Sequence, residues 1–175
     1  MDGWRPSLTA TSLAHTIPRL MRSLVLVLAS AGYVGYIPVA SGTFGSLVGI
    51  PLFWGFDALR STSVTVYLLV YVAMVAGACW IAGKAEQYLD EHDSHKIVID
   101  EVVGYLAATL FLSPTWTHAL LAFFIFRALD VLKPFPAGYI DAHFPGGYGV
   151  VLDDVVSGFY SNAAVRVLIA AGLVT

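Results

Sequence analysis

Acidic and basic residues stand close together in residues 126–154, a stretch that two long apolar segments flank. Arg127 and Lys133 lie three residues on either side of Asp130, so the three side chains share one face if this part is helical. Asp153 and Asp154 open the apolar segment that follows. Charges of both signs between apolar runs indicate a metal ion and an anion held at a membrane surface.

A second acidic pair, Asp100-Glu101, opens another apolar segment. If successive segments cross a membrane in alternate directions, both acidic pairs and Asp130 fall on the same side. Carboxylate oxygens are hard ligands that suit Mg²⁺ or Mn²⁺ rather than zinc or copper. Such sites typically act on phosphates, for which Arg127 offers a bidentate fork and Lys133 a point charge. The residues predicted as metal ligands and catalytic groups are Asp100, Glu101, Asp130, Asp153 and Asp154.

A purely structural explanation competes for some of these acids. Acidic side chains in the first turn of a helix are stabilised by the helix dipole and can cap free N–H groups. This explanation applies to Asp100-Glu101 and to Asp153-Asp154, since each pair begins a predicted helix. It does not apply to Asp130, which ends a helix and faces the negative end of the dipole. Asp130 therefore needs a cationic partner, either Arg127 or a divalent cation.

The composition is that of an integral membrane protein. Hydrophobic residues make up 58% of the chain and charged residues 12%, whereas ordinary soluble domains carry about 25% charged residues. The net charge of −3 argues against a nucleic-acid partner. Cys79 is the single cysteine, which excludes a disulfide framework or a thiolate metal site. No signal-peptide pattern is present. We expect one membrane-embedded domain over residues 1–175, with residues 1–16 as a polar N-terminal tail.

The apolar segments predict an all-α, polytopic membrane bundle with about four to five membrane-embedded helices. Residues 17–39 are broken by Gly32, Gly35 and Pro38, which favours a surface or re-entrant helix ahead of the bundle. The candidate crossings are residues 44–59, 64–82, 98–112, 116–131 and 155–174. The first and third are short for a span of about 20 residues. Most lysines and arginines then fall on the same side as the acids, which the positive-inside rule makes cytoplasmic.

Two glycine-bearing segments could approach an anion. SGTFG, residues 41–45, opens a helix whose free N–H groups can receive a phosphate, with a Ser or Thr side chain as its cap. The same small residues also serve helix packing in membranes. GGYG, residues 146–149, permits close backbone approach or forms a flexible loop. The predicted substrate contacts are Ser41, Gly42, Thr43, Gly45, Arg127, Lys133 and Gly147. His143 is a further candidate, as a proton shuttle.

Four motifs resemble the phosphatidylglycerophosphatase A family, and they occur in the family's order. They are SGTFGSLVGIPLFW (residues 41–54), DEVVG (100–104), FRALDVLKPFP (126–136) and GGYGVVLDDVVSGFY (146–160). The resemblance implies an all-helical, Mg²⁺-dependent lipid phosphatase of the bacterial inner membrane. It also implies conversion of phosphatidylglycerophosphate to phosphatidylglycerol and phosphate, with phospholipids as the partners. The composition favours the membrane branch over soluble relatives.

The expected mechanism is direct attack by a metal-activated water at the cytoplasmic face of the membrane. A covalent route is disfavoured because neither a Cys-x₅-Arg loop nor an Asp-x-Asp-x-Thr motif occurs in the chain. The five acids hold one or two Mg²⁺, and one acid doubles as the base, with that division left open. Arg127, Lys133 and the turn at residues 41–45 stabilise the phosphoryl charge.

Rival functions come from other classes. A CDP-alcohol phosphotransferase also uses clustered aspartates, but its DG-x₂-AR…G-x₃-D-x₃-D spacing is missing. A small membrane transporter or ion-conducting protein with a carboxylate cation site would distribute its acids along a path rather than gather them at one face. A non-catalytic scaffold would need no such set of acids and bases. Nothing in the sequence fixes the oligomeric state.

Overall fold

The computed structural model describes residues 10–174, with side chains from residue 19 onward. Within that range seven α-helices follow one another: α1 (Ala10–Ala29), α2 (Ser41–Thr62), α3 (Val64–Leu89), α4 (Ile99–Thr109), α5 (Trp116–Leu132), α6 (Ala137–His143) and α7 (Gly147–Ala170). A short 3₁₀ helix, Val34–Tyr36, lies between α1 and α2. The described residues contain no strand, so the prediction of an all-α fold is confirmed.

The short helix α4 forms the centre of the bundle, where α7, α2, α5 and α3 pack around it. Its residues 102–109 are all buried, as expected for a helix that is apolar on every side. The backbones of α4 and α7 touch, because a Cβ atom on Gly158 would lie 2.2 Å from the carbonyl oxygen of Gly104. The candidate crossing at residues 98–112 is therefore a core helix of 11 residues, about 16 Å long.

Side chains from α7 satisfy the carbonyl groups at the end of α4. The Asn162 side chain donates to the carbonyl oxygens of Ala108 and Leu110, at 2.9 Å each. Arg166 Nη2 donates to the same Leu110 oxygen at 2.9 Å, and Arg166 Nε donates to Asn162 Oδ1 at 2.8 Å. Backbone groups shielded from water need such partners. The bundle can therefore hold a short helix that ends inside it.

Two predictions about the helix starts are wrong. The N-cap of α2 is Ala40, and no side chain caps the helix, because Ser41 Oγ donates instead to the carbonyl oxygen of His95 at 2.7 Å. The second concerns α7, which begins at Gly147 rather than at Asp153.

Other boundaries shift without changing the helical class. α3 continues to Leu89, seven residues beyond the end of the candidate crossing at residue 82. α6, for which the sequence predicts no helix, lies within the charged stretch at residues 126–154. Residues 10–16, predicted as part of the polar tail, belong to α1, while residues 1–9 lie outside the described range.

Large apolar side chains cover much of the outside of the bundle. Examples that are more than 60% exposed lie on three helices: Leu69 and Val72 on α3, Trp116 and Phe124 on α5, and Val167 on α7. Soluble monomers rarely expose extended apolar patches of this kind. Among the described helices, α3 alone is long and apolar enough to pass as a membrane span by itself. This surface and this helix are consistent with membrane association, whereas the predicted polytopic arrangement is not confirmed.

Candidate metal and phosphate site

Five acidic side chains from three helices converge at one end of the bundle. Asp100 and Glu101 belong to the first turn of α4 and Asp130 to the last turn of α5. Asp153 and Asp154 belong to the second turn of α7. All five line one cavity of about 240 Å³. The structure thus brings together every acidic residue that the sequence singles out.

The helix dipole does not account for the α7 acids. Its effect falls off within the first turn of a helix, and α7 begins at Gly147, a full turn before Asp153 and Asp154. Both side chains are nevertheless buried, at 2% and 4% exposure. For Asp100 and Glu101 the dipole still contributes, since both lie in the first turn of α4. The α7 pair therefore needs another source of positive charge.

The acids form two groups of three that share one member. Ligand atoms of Asp100, Glu101 and Asp154 lie within 4.8 Å of one another, and so do those of Asp130, Asp153 and Asp154. Such spacing lets one cation contact all three oxygens of a group. Asp154 lies where the two groups meet.

Four buried carboxylate oxygens in this cluster lack a hydrogen-bond partner. They are Asp100 Oδ1, Glu101 Oε2, Asp153 Oδ1 and Asp154 Oδ2. Burying a carboxylate oxygen without a partner is costly unless a cation or a proton compensates it. All of the atoms available here as metal ligands are carboxylate oxygens, the ligand type that Mg²⁺, Mn²⁺ and Ca²⁺ prefer. The residues present therefore fit a hard divalent cation.

The electrostatics of the α7 acids agree with this fit. Burial raises the pKa of Asp153 to about 6, against the opposing hydrogen bond and charge of Lys133. Burial also raises the pKa of Asp154 well above its ordinary value, and the negative charge of Asp130 adds to that effect. The site therefore takes up protons unless another positive charge is present.

Each of the two basic residues predicted for the site, Arg127 and Lys133, pairs with acids of the cluster. Arg127 Nη1 donates to Asp130 Oδ2 at 2.6 Å and lies 3.9 Å from Glu101 Oε1. Lys133 Nζ lies 2.9 Å from Asp153 Oδ2. Asp130 thus has the cationic partner that its place at a helix C-terminus requires.

Two acidic residues of the site were missed by sequence reasoning. Asp141 Oδ2, on α6, lies 2.8 Å from Lys133 Nζ, and Asp93 lines the cavity. Burial opposes the charge on Lys133, but its hydrogen bonds to Asp141 and Asp153 outweigh burial and raise its pKa. Asp93 and Asp141 give a weak signal in the sequence, because both stand in connecting stretches outside the apolar segments, where solvated carboxylates are common.

The start of α2 lies against the acidic end of α4. A Cβ atom on Gly42 would lie 2.1 Å from Glu101 Oε1 and 3.0 Å from Arg127 Nη2, and one on Gly45 would lie 2.8 Å from Val98 Cβ. Ser41 is held by its hydrogen bond to the His95 carbonyl, and the half-buried Thr43 follows in the same turn. The turn at residues 41–45 therefore borders the site next to Arg127 and Glu101.

Gly42→Ala is expected to lower activity by about a hundredfold, because a displacement of about 1 Å in a reacting group can cost that much. The added methyl group meets the flexible end of Glu101, so the carboxylate moves while the helix stays intact. The matched control is Gly55→Ala in the same helix, where no atom lies within 4 Å of the new Cβ. Activity and thermal unfolding of both variants check this. Equal activity of the two variants would contradict it.

Two further sequence candidates lie elsewhere. A Cβ on Gly147 would lie 2.1 Å from the carbonyl oxygen of Cys79 and 2.4 Å from Gly83 N. Close packing of α7 on α3 therefore accounts for this glycine, which is absent from the lining of the acid cavity. His143 is exposed, and its Nδ1 lies 2.9 Å from the Tyr139 carbonyl oxygen.

Comparison with known proteins gives one family. The family model described as PgpA, phosphatidylglycerophosphatase A, matches residues 27–169. A phosphatidylglycerophosphatase A of Haemophilus influenzae is 35% identical over 128 residues, which cover 73% of this chain and 77% of the relative. A protein of the same name from Escherichia coli is 34% identical over 129 residues, covering 73% of each chain.

A third relative carries a different name. This protein, from Bacteroides thetaiotaomicron, is provisionally named a phosphatidylinositol-3-phosphatase. It is 32% identical over 155 residues, which cover 83% of this chain and 94% of the relative. No solved structure gives a significant match.

Proposed function

The chain belongs to the phosphatidylglycerophosphatase A family of phosphatases, and from this premise we propose that it hydrolyses phosphatidylglycerophosphate to phosphatidylglycerol and inorganic phosphate. The observation that carries the proposal is the pair of three-acid groups sharing Asp154, with Arg127 and Lys133 beside them. A phosphomonoester carries about two negative charges near neutral pH. Binding and cleaving such a group next to a cluster of carboxylates requires cations between the phosphate and the carboxylates.

Mg²⁺ is the proposed cofactor, as one or two ions. The residues that would hold it are Asp100, Glu101 and Asp154 on one side, and Asp130, Asp153 and Asp154 on the other. The chemistry that Mg²⁺ supplies when bound is activation of a water and neutralisation of phosphate oxygens. Three acidic residues on each side would leave room for water and substrate, because Mg²⁺ sites in proteins usually keep several non-protein ligands.

Arg127 and Lys133 provide fixed positive charge for the phosphoryl group. Arg127 has five N–H donors, and its ion pairs with Asp130 and Glu101 both use Nη1, so other donors remain for a phosphate oxygen. Lys133 is held between Asp141 and Asp153 at 2.8 and 2.9 Å, which fixes its ammonium at the edge of the cavity. Preorganised charges of this kind stabilise the developing charge of a transition state.

The proposed setting is a polytopic protein of the bacterial inner membrane with its site at the cytoplasmic face. The proposed crossing segments are residues 44–59, 64–82, 116–131 and 155–174, and they enclose the short core helix α4. Support comes from the exposed apolar faces of α3, α5 and α7 and from the side-chain partners of the α4 carbonyls. The excess of lysine and arginine on the side of the acids supports the cytoplasmic placement.

The test is phosphate release by the purified protein in mixed micelles. We expect phosphatidylglycerophosphate to be hydrolysed faster than phosphatidylinositol 3-phosphate or phosphatidic acid. An Asp154→Asn protein purified in parallel reports any contaminating phosphatase. No release above that background would overturn the proposal and favour a cation transporter. Faster release from phosphatidylinositol 3-phosphate would show that the proposed substrate is wrong and that the proposed reaction, hydrolysis of a lipid phosphomonoester, is right.

Mg²⁺ affinity is expected to fall with decreasing pH, by up to about tenfold per unit below pH 6 for each proton that the ion displaces. The reason is that the pKa of Asp153 lies near 6, so its carboxylate is charged above that pH and increasingly protonated below it. Calorimetric titration of Mg²⁺ into metal-free protein at pH 5 to 8 measures this without substrate. Asp153→Asn should make the dependence shallower and leave the part that comes from Asp154, whose pKa burial also raises. A constant affinity across this range would contradict the prediction.

A further inference from the structure

An apolar groove runs between α3 and α7, outside the acid cavity. Its volume is about 310 Å³. The side chains that line it come from both helices: Val72, Val75 and Ala76 from α3, and Leu152, Val155 and Phe159 from α7. Val72 and Phe159 are 62% and 48% exposed, so the groove opens on the outer surface of the bundle.

The groove continues into a pocket of different chemistry. Both are lined by Cys79 and Tyr148. The pocket has a volume of about 420 Å³ and adds the polar side chains of Lys84, Glu86 and Gln87. One end of this joined cleft is therefore apolar and the other is charged, as in a site for an amphipathic ligand.

The charged end favours an anion. Glu86 is already engaged, because its Oε1 lies 2.5 Å from His92 Nδ1 and accepts a hydrogen bond from the Asp93 N–H at 2.9 Å. Lys84 donates to the neutral Gln87 side chain at 3.1 Å. Within the described side chains, no carboxylate lies within ion-pair distance of Lys84. Lys84 is thus a cation of the pocket without an ion pair, while Oε1 of Glu86 is directed to His92 and the Asp93 N–H.

The cleft, measured along α3 from Tyr71 in the groove to Trp80 in the pocket, matches one leaflet of a bilayer in length. From Tyr71 to Trp80, α3 rises about 14 Å, close to half of the roughly 30 Å hydrocarbon thickness. Trp80 is 55% exposed and lines the polar pocket, where the apolar run gives way to Lys84. Tryptophan is enriched at this depth, the boundary between hydrocarbon and headgroups.

The cleft is separate from the reacting centre. Tyr148, Leu152, Val155 and Phe159 recur at the spacing of a single face of α7. Asp153 and Asp154 point away from that face, into the acid cavity. A lipid in the cleft would therefore contact the same helix as the acids but not the site itself.

From these observations we propose that the cleft binds one membrane phospholipid with an anionic headgroup that is not the lipid being hydrolysed. One acyl chain lies along the apolar groove, and the headgroup phosphate lies against Lys84. The proposal uses the membrane setting proposed above but not the reaction. Its test reads out lipid binding rather than phosphate release, so its failure and failure of the proposed reaction are distinguishable.

Native mass spectrometry of the full chain released from micelles tests the headgroup. With phosphatidylglycerol and phosphatidylcholine supplied together, we expect one retained lipid and a preference for phosphatidylglycerol. Lys84→Gln should weaken that preference about fivefold, the effect of one cation at a membrane surface. The control is Lys96→Gln, since Lys96 pairs with Glu91 outside the cleft. Equal retention of both lipids, or equal effects of the two variants, would overturn the proposal.

A second pair of variants tests the groove. Ala76→Trp should fill it and abolish lipid retention, because Ala76 faces the groove and is exposed. Ala73→Trp places the same side chain on an exposed position of α3 that does not line the groove, and it should retain the lipid. Loss of the lipid in both variants, or in neither, would overturn the proposal.

Discussion

Asp154→Asn is expected to reduce phosphate release about a thousandfold or more while the protein stays folded. Asp154 is common to both groups of three acids, so an amide in its place removes one hard ligand from each. The same change should raise the thermal stability of the metal-free protein. Burial and the neighbouring Asp130 both disfavour the charged form of Asp154, and the amide removes that charge.

Asp57→Asn is the matched control. Asp57 pairs with Arg60 within α2 and is absent from the lining of the acid cavity, so its amide variant should keep normal activity. Activity on phosphatidylglycerophosphate and metal-free thermal unfolding would be measured for both proteins. A folded Asp154→Asn protein that retains a tenth of the normal rate would show that Asp154 is not shared by the reacting centre. A lower thermal stability of the metal-free Asp154→Asn protein would show that the Asp154 carboxylate stabilises the fold without a cation.

Hydrophobic pattern alone was sufficient for the helical class and for part of the helix order. The segment predicted at residues 116–131 matches α5, Trp116–Leu132, to within one residue. The start of α7 was missed because glycine and aspartate in residues 147–154 are poor helix formers. Contact with α3 outweighs that preference, since Gly147 packs directly on the Cys79 carbonyl.

Hydropathy could not separate a membrane crossing from a buried core helix. α4 reads as a short apolar segment in both cases, and its burial by four neighbouring helices is a tertiary property. The side chains that close its end come from Asn162 and Arg166, more than 50 positions away in the chain. No local pattern links residues so far apart.

The acids of the site were predictable because carboxylates are rare in apolar segments and need a reason to be there. Their partners were only partly predictable. Arg127 follows from its three-residue spacing to Asp130, and the pair is formed in the structure. The contact of Lys133 with Asp141 depends on how the chain turns between α5 and α6. The glycines of residues 41–45 were open to two interpretations, and Gly42 and Gly45 pack closely against Glu101 and Val98.

Removal of divalent cations is expected to abolish activity and to destabilise the protein, and added Mg²⁺ should restore both. The physical reason is the set of four buried carboxylate oxygens without partners, which repel one another unless a cation lies between them. A ligand that binds only the folded state at a hundred times its Kd stabilises that state by about 2.7 kcal/mol. Thermal unfolding in EDTA, and then with increasing Mg²⁺, measures this change beside phosphate release.

Asp154→Asn connects this experiment to the cluster itself. If the cation is held by the two groups that share Asp154, the variant should lose most of the Mg²⁺-dependent stabilisation, whereas Asp57→Asn should keep it. An EDTA-treated protein that still releases phosphate at the normal rate would exclude a metal-dependent reaction. Stabilisation by Mg²⁺ that survives in Asp154→Asn would place the cation at other ligands. The double readout is needed because a phosphate substrate binds Mg²⁺ too, so activity alone cannot separate metal bound to the protein from metal bound to the substrate.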